Sequence, residues 1–259
     1  MNTVTMTPLG VQHPVASRED WLAQRRELLA REKELTHQRD RIARDRRALP
    51  WVRLDKPYTL ATTSGPRTLA DLFEGRRQLM VQHFMLAPGW EAGCQSCSFM
   101  ADHLVGTKLH LEQRDLSVLL VSRAPLAEIQ RFRRRMGWDF EWASSHDSDF
   151  NQDFAVSFPP ESRVEGEVYY NYGMTSFPHT EAPGISFFWR DDAGDVFHTY
   201  STFGRGVEAM MGSYDLLDMA PLGRDEDHLA YGMEWVRHHD RYDAAPKSAP
   251  VAPCCASRA

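Results

Sequence analysis

The stretch 78-QLMVQHFMLAPGWEAGCQSCSFMADHL-104 decides how the chain is read. Six of its first nine residues are apolar, in two runs of three, and the stretch reads as a buried strand over 78–86. Ala87-Pro88-Gly89-Trp90 then supplies the chemistry of a turn. Cys94 and Cys97 come next, at the start of a helix predicted to run to about Leu111. A helix N-terminus presents unpaired amides that carry roughly half a positive charge. A thiolate there is stabilised, and such cysteines reach pKa values of roughly 3.5–7.5 where ~8.5 is ordinary. Positions i and i+3 share a helix face at about 5–6 Å. That is inside the window of about 4.4–6.8 Å that a disulfide spans between Cα atoms. Cys94 is therefore the expected exposed attacker and Cys97 the more buried resolving thiol. Gln95 and Ser96 between them carry no charge and should tune the pair only weakly.

Outward from the dithiol, 116-LSVLLVS-122 reads as a second buried strand, as in a parallel sheet covered on both faces. The segment 125-PLAEIQRFRRRMG-137 has Pro near its start and Gly at its end, the signature of a helix. Strand character resumes in 138-WDFEWASS-145. This alternation predicts an α/β fold with right-handed crossovers. Upstream, residues 51–61 contain a Pro and read as an edge strand or connector. A turn is expected at 64-SGPRT-68 and a short helix at 69–73. Downstream, 146–182 is a polar, Tyr-rich insert with a helical turn near 149–154. The segment 184-GISFFWRDDAGDVFHTYSTF-203 is a hairpin around DDAGD. A last helix is expected over 205–218, whereas the His-rich residues 220–243 carry no assignable pattern.

Residues 17–49 predict a long helix capped by Ser17. Trp21, Leu28, Leu35, Ile42 and Leu49 recur every seven residues, with Leu22 and Leu29 beside them. The second heptad position is charged or polar, so the seam is half of a coiled coil. It favours a helix lying across the body or a partner subunit, and a homodimer through this helix is one expectation. The domain expectation is a helical extension (1–49), a main domain (50–243) and a disordered tail (244–259) rich in Ala, Pro and Ser. The net charge of −6 argues against a nucleic-acid binder. No apolar run approaches the roughly 18 residues of a membrane span, and the N-terminus lacks a secretory pattern. A cytoplasmic location is expected. Four cysteines in 259 residues do not make a disulfide scaffold, so the C-x-x-C is read as catalytic or metal-binding.

Taken together, TLADLFEGRRQLMVQHFM, GWEAGCQSCSF and LSVLLVS resemble the thioredoxin-like superfamily, with Trp90 mirroring the aromatic residue that precedes the dithiol there. TLADLF ahead of a strand is similar to the lead-in of peroxiredoxin and cytochrome-maturation relatives. More closely, GCQSCSFMADHL, SRAPLAEIQRFRRRMGW, SDFNQDFAVSF, VFHTYSTFGRG and YDLLDMAPLGR resemble the DUF899 family over about residues 13–243. Its members are predicted to be dithiol–disulfide oxidoreductases of thioredoxin-like fold. The resemblance implies a three-layer fold with a central mixed sheet, a long N-terminal helical extension and an insert before the C-terminal hairpin. It also implies a cis-proline facing the dithiol, carried here to Pro183, with Ala182 offering backbone groups to an extended substrate peptide. Trp90 would shield one side. Fold alone does not fix function.

Rival readings use the same residues. A metal site needs ligands beyond Cys94 and Cys97; candidates are His83, His103, His198, His238 and His239. His83, ending the strand beneath the dithiol, is also a candidate for tuning the thiolate, as is Arg123 at the end of the next strand. A thiol peroxidase would want a hydroxyl three residues and a proline seven residues before its cysteine. Glu91 and Ala87 stand there relative to Cys94. A third reading is a non-catalytic redox sensor. The tail pair Cys254-Cys255 could serve as a shuttle for the disulfide or be inert. No organic cofactor is implied, since no phosphate-cradling Gly-rich loop follows a strand. The expected partners are protein or small-molecule thiols and disulfides, with a thioredoxin- or glutathione-type reductant.

Overall fold

The computed structural model describes residues 3–6 and 12–242. The chain divides into two compact units, Met1–Pro50 and Trp51–Ala259. The expected tail at 244–259, with Cys254 and Cys255, lies outside the described residues. The first unit holds the antiparallel strands β1 (Thr3–Met6) and β2 (Gln12–Val15) and the helix α1 (Arg18–Ala48). The expected cap is in place, with Ser17 Oγ accepting the Asp20 amide at 3.1 Å. Glu19 and Asp20 in the first turn and Arg46 and Arg47 in the last complement the helix dipole. No side chain of α1 is buried, and charged pairs such as Arg25–Glu32 and Arg41–Glu34 run along it.

In the second unit, β3 (Val52–Arg53), β4 (Thr59–Thr62), β5 (Gly65–Thr68) and a 3-10 turn at Asp71–Phe73 lead into β6 (Gln78–His83). Then come α2 (Gln95–Asp102), α3 (Thr107–Glu112), β7 (Leu116–Ser122), α4 (Leu126–Met136), β8 (Glu141–Ser144) and α5 (Phe150–Asp153). The insert forms the hairpin β9 (Glu167–Tyr170) and β10 (Gly173–Ser176). The chain closes with β11 (Gly184–Arg190), β12 (Val196–Phe203), a 3-10 segment at Gly204–Met210 and α6 (Gly212–Met219).

The main sheet runs β3-β12-β11-β6-β7-β8-β4-β5. β6, β7 and β8 are parallel, while β11 and β12 run antiparallel beside β6. A parallel pair, each strand followed by a helix, with an antiparallel hairpin on the other flank of the first strand is a thioredoxin-like three-layer α/β fold. Strand parity separates two cores. Met80, Val118, Leu120 and Ile185 face a cluster with Cys97, Phe99, Met100, Ile129 and Phe132. Leu79, Val81, Leu119, Val121 and Phe188 face Phe73, Leu60 and Phe150 on the other side. Among the described residues no helix is long and apolar enough to cross a membrane.

Three expectations about local structure are corrected. Residues 64–68 hold strand β5, with the turn moved to Thr62–Gly65, where Thr62 Oγ1 donates to Gly65 O at 2.8 Å. The dithiol helix does not run unbroken to Leu111; Gly106, at φ +82°, separates α2 from α3. The last helix is divided between the 3-10 segment and α6, meeting at Met211. Residues 220–242 hold little regular structure, yet they pack on the dithiol side, with Val236 fully buried in that core.

Gly137 ends α4 in the left-handed region at φ +66°, with its amide returning to Arg134 O at 3.2 Å. Gly137→Ala should destabilise the chain by about 1 kcal/mol, read as a lowered urea midpoint at unchanged slope.

Candidate dithiol site

The peptide chain reaches the dithiol by a route that continues the sheet without being strand. Beyond β6, Phe84 N–H donates to Val121 O at 2.9 Å, and Ala124 N–H to Leu86 O at 2.9 Å. Ser122 Oγ donates to Phe84 O and accepts from Trp142 Nε1, tying the ends of β7 and β8 to this extension. Pro88 and Gly89, the latter at φ +78°, make a tight turn that closes with Trp90 N–H on Ala87 O. The chain then doubles back so that Cys94 N–H donates to Met85 O at 3.0 Å. Gly93 is required at the closest approach. A Cβ there would lie 2.4 Å from Phe84 Cε1 and 2.8 Å from Phe132 Cε1.

Cys94 is the N-cap of α2, and Cys97 lies in its first turn. Both thiols are free; Cys94 is half-buried and Cys97 fully buried. The Cys94 sulfur is held by the Cys97 S–H first and then by the backbone amides of Cys97 and Ser96. Against the opposing effect of burial, these donors lower its pKa to about 7. Burial, followed by the neighbouring Cys94, pushes Cys97 well above the ordinary thiol range. The pair is thus split, with Cys94 the more acidic thiol and Cys97 the less acidic. The donor set contains no cation, and the amides act as the start of a helix dictates.

The other residues expected at the site are placed differently. His83 sits on the opposite face of β6. Its ring lies against Phe150 and Phe154, its Nε2 pairs with Ser186 Oγ at 2.7 Å, and burial lowers its pKa to about 3. It is neutral and on the wrong side to tune Cys94. Gln82 faces the dithiol helix in its place, with Nε2 donating to Cys97 O at 3.0 Å. Arg123 is committed to the buried Glu181 carboxylate at 2.7 Å, and burial raises the Glu181 pKa.

Pro183 is trans, since no peptide bond among the described residues is cis. Its carbonyl accepts from the Tyr170 hydroxyl at 2.7 Å. The Ala182 amide donates to Val156 O at 2.8 Å, so the insert takes the group expected to meet a substrate. Trp90 is half-buried against the dithiol-side core.

The histidines considered as ligands are structural. His103 Nδ1–H donates to Phe99 O at 2.6 Å, and its Nε2 accepts the Ser213 amide at 3.0 Å. His198 pairs with Ser201 Oγ, and His239 with Asp102. His238 donates from Nε2 to Gly93 O at 2.8 Å while Nδ1 accepts from Arg135 at 3.1 Å, which defines its neutral tautomer. Among the described residues no three His, Cys, Asp or Glu side chains converge to hold a metal. At the positions a peroxidase would use, Glu91 is exposed and Ala87 is buried.

The sequence reading missed Gln82, and it offered His238 only as a candidate metal ligand and Tyr170 only as part of a Tyr-rich insert, not the hydrogen bonds they make to Gly93 O and Pro183 O. Burial pushes the Tyr170 phenol up to about 12, with Cys97 near enough to add to the effect. The Gly-Cys dipeptide was the one legible signal for the tight approach at Gly93.

The chain belongs to the family described as "Bacterial protein of unknown function (DUF899)", which it matches over residues 10–242. No curated protein matches it in sequence. Among solved structures it is similar to the peroxidoxin BcpB of Mycobacterium tuberculosis, at 14% identity and a TM-score of 0.39, covering 63% of this chain and 93% of that one. It is also similar to the Xanthomonas campestris bacterioferritin comigratory protein (13%, TM-score 0.40, 61% and 89% covered). A third likeness is to a putative thiol:disulfide interchange protein DsbE of Chlorobium tepidum (12%, TM-score 0.39, 64% and 97% covered). At this level of similarity nothing about activity transfers, and the chemistry has to be read from the site.

Two outcomes follow from the geometry. With the Cys97 S–H removed, as in Cys97→Ala, the midpoint of the pH profile for Cys94 alkylation should rise from about 7 toward the ordinary thiol value. The alkylation rate at neutral pH should fall by roughly tenfold as the thiolate fraction drops. Gly93→Ala should destabilise the fold by about 1–3 kcal/mol through overpacking, measured by urea unfolding.

Proposed function

We propose that this DUF899 protein is a thiol–disulfide oxidoreductase in which Cys94 attacks and Cys97 resolves. One observation carries the reading: Cys94 stands at the head of α2 with Cys97 one turn in, the Cys97 thiol lowers Cys94 to about 7, and burial, followed by Cys94, raises Cys97. A nucleophilic thiol works best with a pKa near ambient pH, which Cys94 meets. The buried Cys97 stays protonated until its partner has reacted.

The Cys94 thiolate attacks one sulfur of a disulfide substrate, and the S–S electron pair leaves with the other sulfur as a thiolate. That charge leaves Cys94 when the mixed disulfide forms, so the Cys97 S–H loses its acceptor. Cys97 passes its proton to the departing thiolate and attacks Cys94 Sγ. The Cys94–Cys97 disulfide forms, and the second half of the substrate departs as thiolate. A thioredoxin- or glutathione-type dithiol or thiol then restores the starting state by the reverse chemistry. A reducing compartment such as the cytoplasm suits this cycle. Trp90, which like Cys94 packs half-buried against the dithiol-side core, is assigned to shielding the thiolate from one side.

Cys94→Ser should abolish disulfide reduction. Cys97→Ser should retain the attack and accumulate a mixed disulfide at Cys94, detected as a mass adduct released by dithiothreitol. Turnover surviving both substitutions would reject the mechanism.

A further inference from the structure

We infer that the dithiol acts on low-molecular-weight disulfides and not on disulfides within polypeptides, an inference that rests on the thiol–disulfide reading above. An extended polypeptide docks on a sheet by adding its backbone to a free edge, where main-chain hydrogen bonds supply affinity. The edges of this sheet are β3 and β5. β6, which leads to the dithiol, is enclosed between β11 and β7. β3 is three strands away on one flank and β5 four on the other. At about 4.8 Å per strand, both edges lie some ~14–19 Å from β6.

The irregular strip before β11 could have served as a second edge, but the chain has already paired it with itself. Phe158 N–H donates to Thr180 O at 2.8 Å, Ser157 bridges Glu181 in antiparallel register, and Ala182 N–H donates to Val156 O at 2.8 Å. Pro183 has no N–H to offer, and its carbonyl is held by Tyr170. Residues 156–158 thus lie along 180–182 as an added strand would. The pairing is locked from beneath by Glu181, 1% exposed, which accepts from Arg123 and Ser157.

The opposite flank is closed in the same way. Gly93 O, one residue before the nucleophile, accepts from His238 of the C-terminal segment. Arg135–Asp240 and Asp102–His239 fasten that segment on either side of the contact. Cys94 itself directs its amide to Met85 O, and its carbonyl accepts from Ser98 N–H and Ser98 Oγ. A peptide pairing with any of these groups would have to displace an internal partner and leave it unpaired. A small disulfide makes no such demand. It needs only an in-line approach to the sulfur of Cys94, a half-buried residue.

The test compares disulfides that differ in size. Reduced full-length protein is mixed anaerobically with oxidised glutathione, hydroxyethyl disulfide or insulin. Formation of the Cys94–Cys97 disulfide is followed by thiol trapping and peptide mass. Each rate is divided by that of dithiothreitol with the same disulfide, which cancels intrinsic reactivity. The two small disulfides should exceed insulin by at least about a hundredfold, as expected when docking must break existing pairs. A normalised insulin rate equal to theirs overturns the inference and leaves thiol–disulfide exchange standing. Failure of all three to oxidise the pair overturns both.

Discussion

One pairing, of Cys94 at the head of α2 with the Cys97 thiol that lowers its pKa to about 7, is the feature on which the site depends. It can form because the chain turns back on itself at Gly93, where the Phe84 and Phe132 rings leave no room for a side chain. It matters because the two thiols differ in burial. Burial disfavours the charged form of a thiol, and Cys97 is fully buried whereas Cys94 is half-buried. The two thiols are therefore unequal, and the groups that lower Cys94 are the Cys97 thiol, the backbone amides of Cys97 and Ser96, and the Ser96 hydroxyl.

The scaffold around that pair is tied together by hydrogen bonds. β6 and β7 end on either side of the site, and the Ser122 hydroxyl ties their extensions together while Trp142 fixes Ser122. Gln82 holds the first turn of α2 from below through the Cys97 carbonyl. The insert and the C-terminal segment supply the remaining walls through Tyr170 and His238. The outcome is a thioredoxin-like core whose two natural approaches are both occupied by its own chain.

Much of this was legible in the sequence, for physical reasons. The Ser17 cap, the Pro125 and Gly137 boundaries and the apolar run of β7 are local signals, and the structure follows them. The position of the dithiol at a helix start was legible because a strand, a Pro-Gly turn and an apolar helix surround it. The side of His83 was not. QLMVQHFML is apolar on both faces, so nothing in it says which parity meets α2. Gln82 and His83 exchange roles on that one choice. Nor could the sequence foretell that Ala182 and Pro183 would be paired internally, because their partners Val156 and Tyr170 belong to an insert without strong periodicity. The 220–242 segment was opaque for the same reason: it packs through single residues such as Val236 and His238 and not through a repeating face.

The central claim concerns a reversible covalent change at two named atoms, and a redox titration addresses it directly. The protein is equilibrated in glutathione buffers of graded potential, trapped with an alkylating agent and digested. The peptide containing Cys94 and Cys97 is then weighed. The account predicts a single transition in which that peptide loses two hydrogens and regains them on reduction. A peptide that stays fully alkylated at every potential, or thiols that resist both oxidation and alkylation, would contradict it.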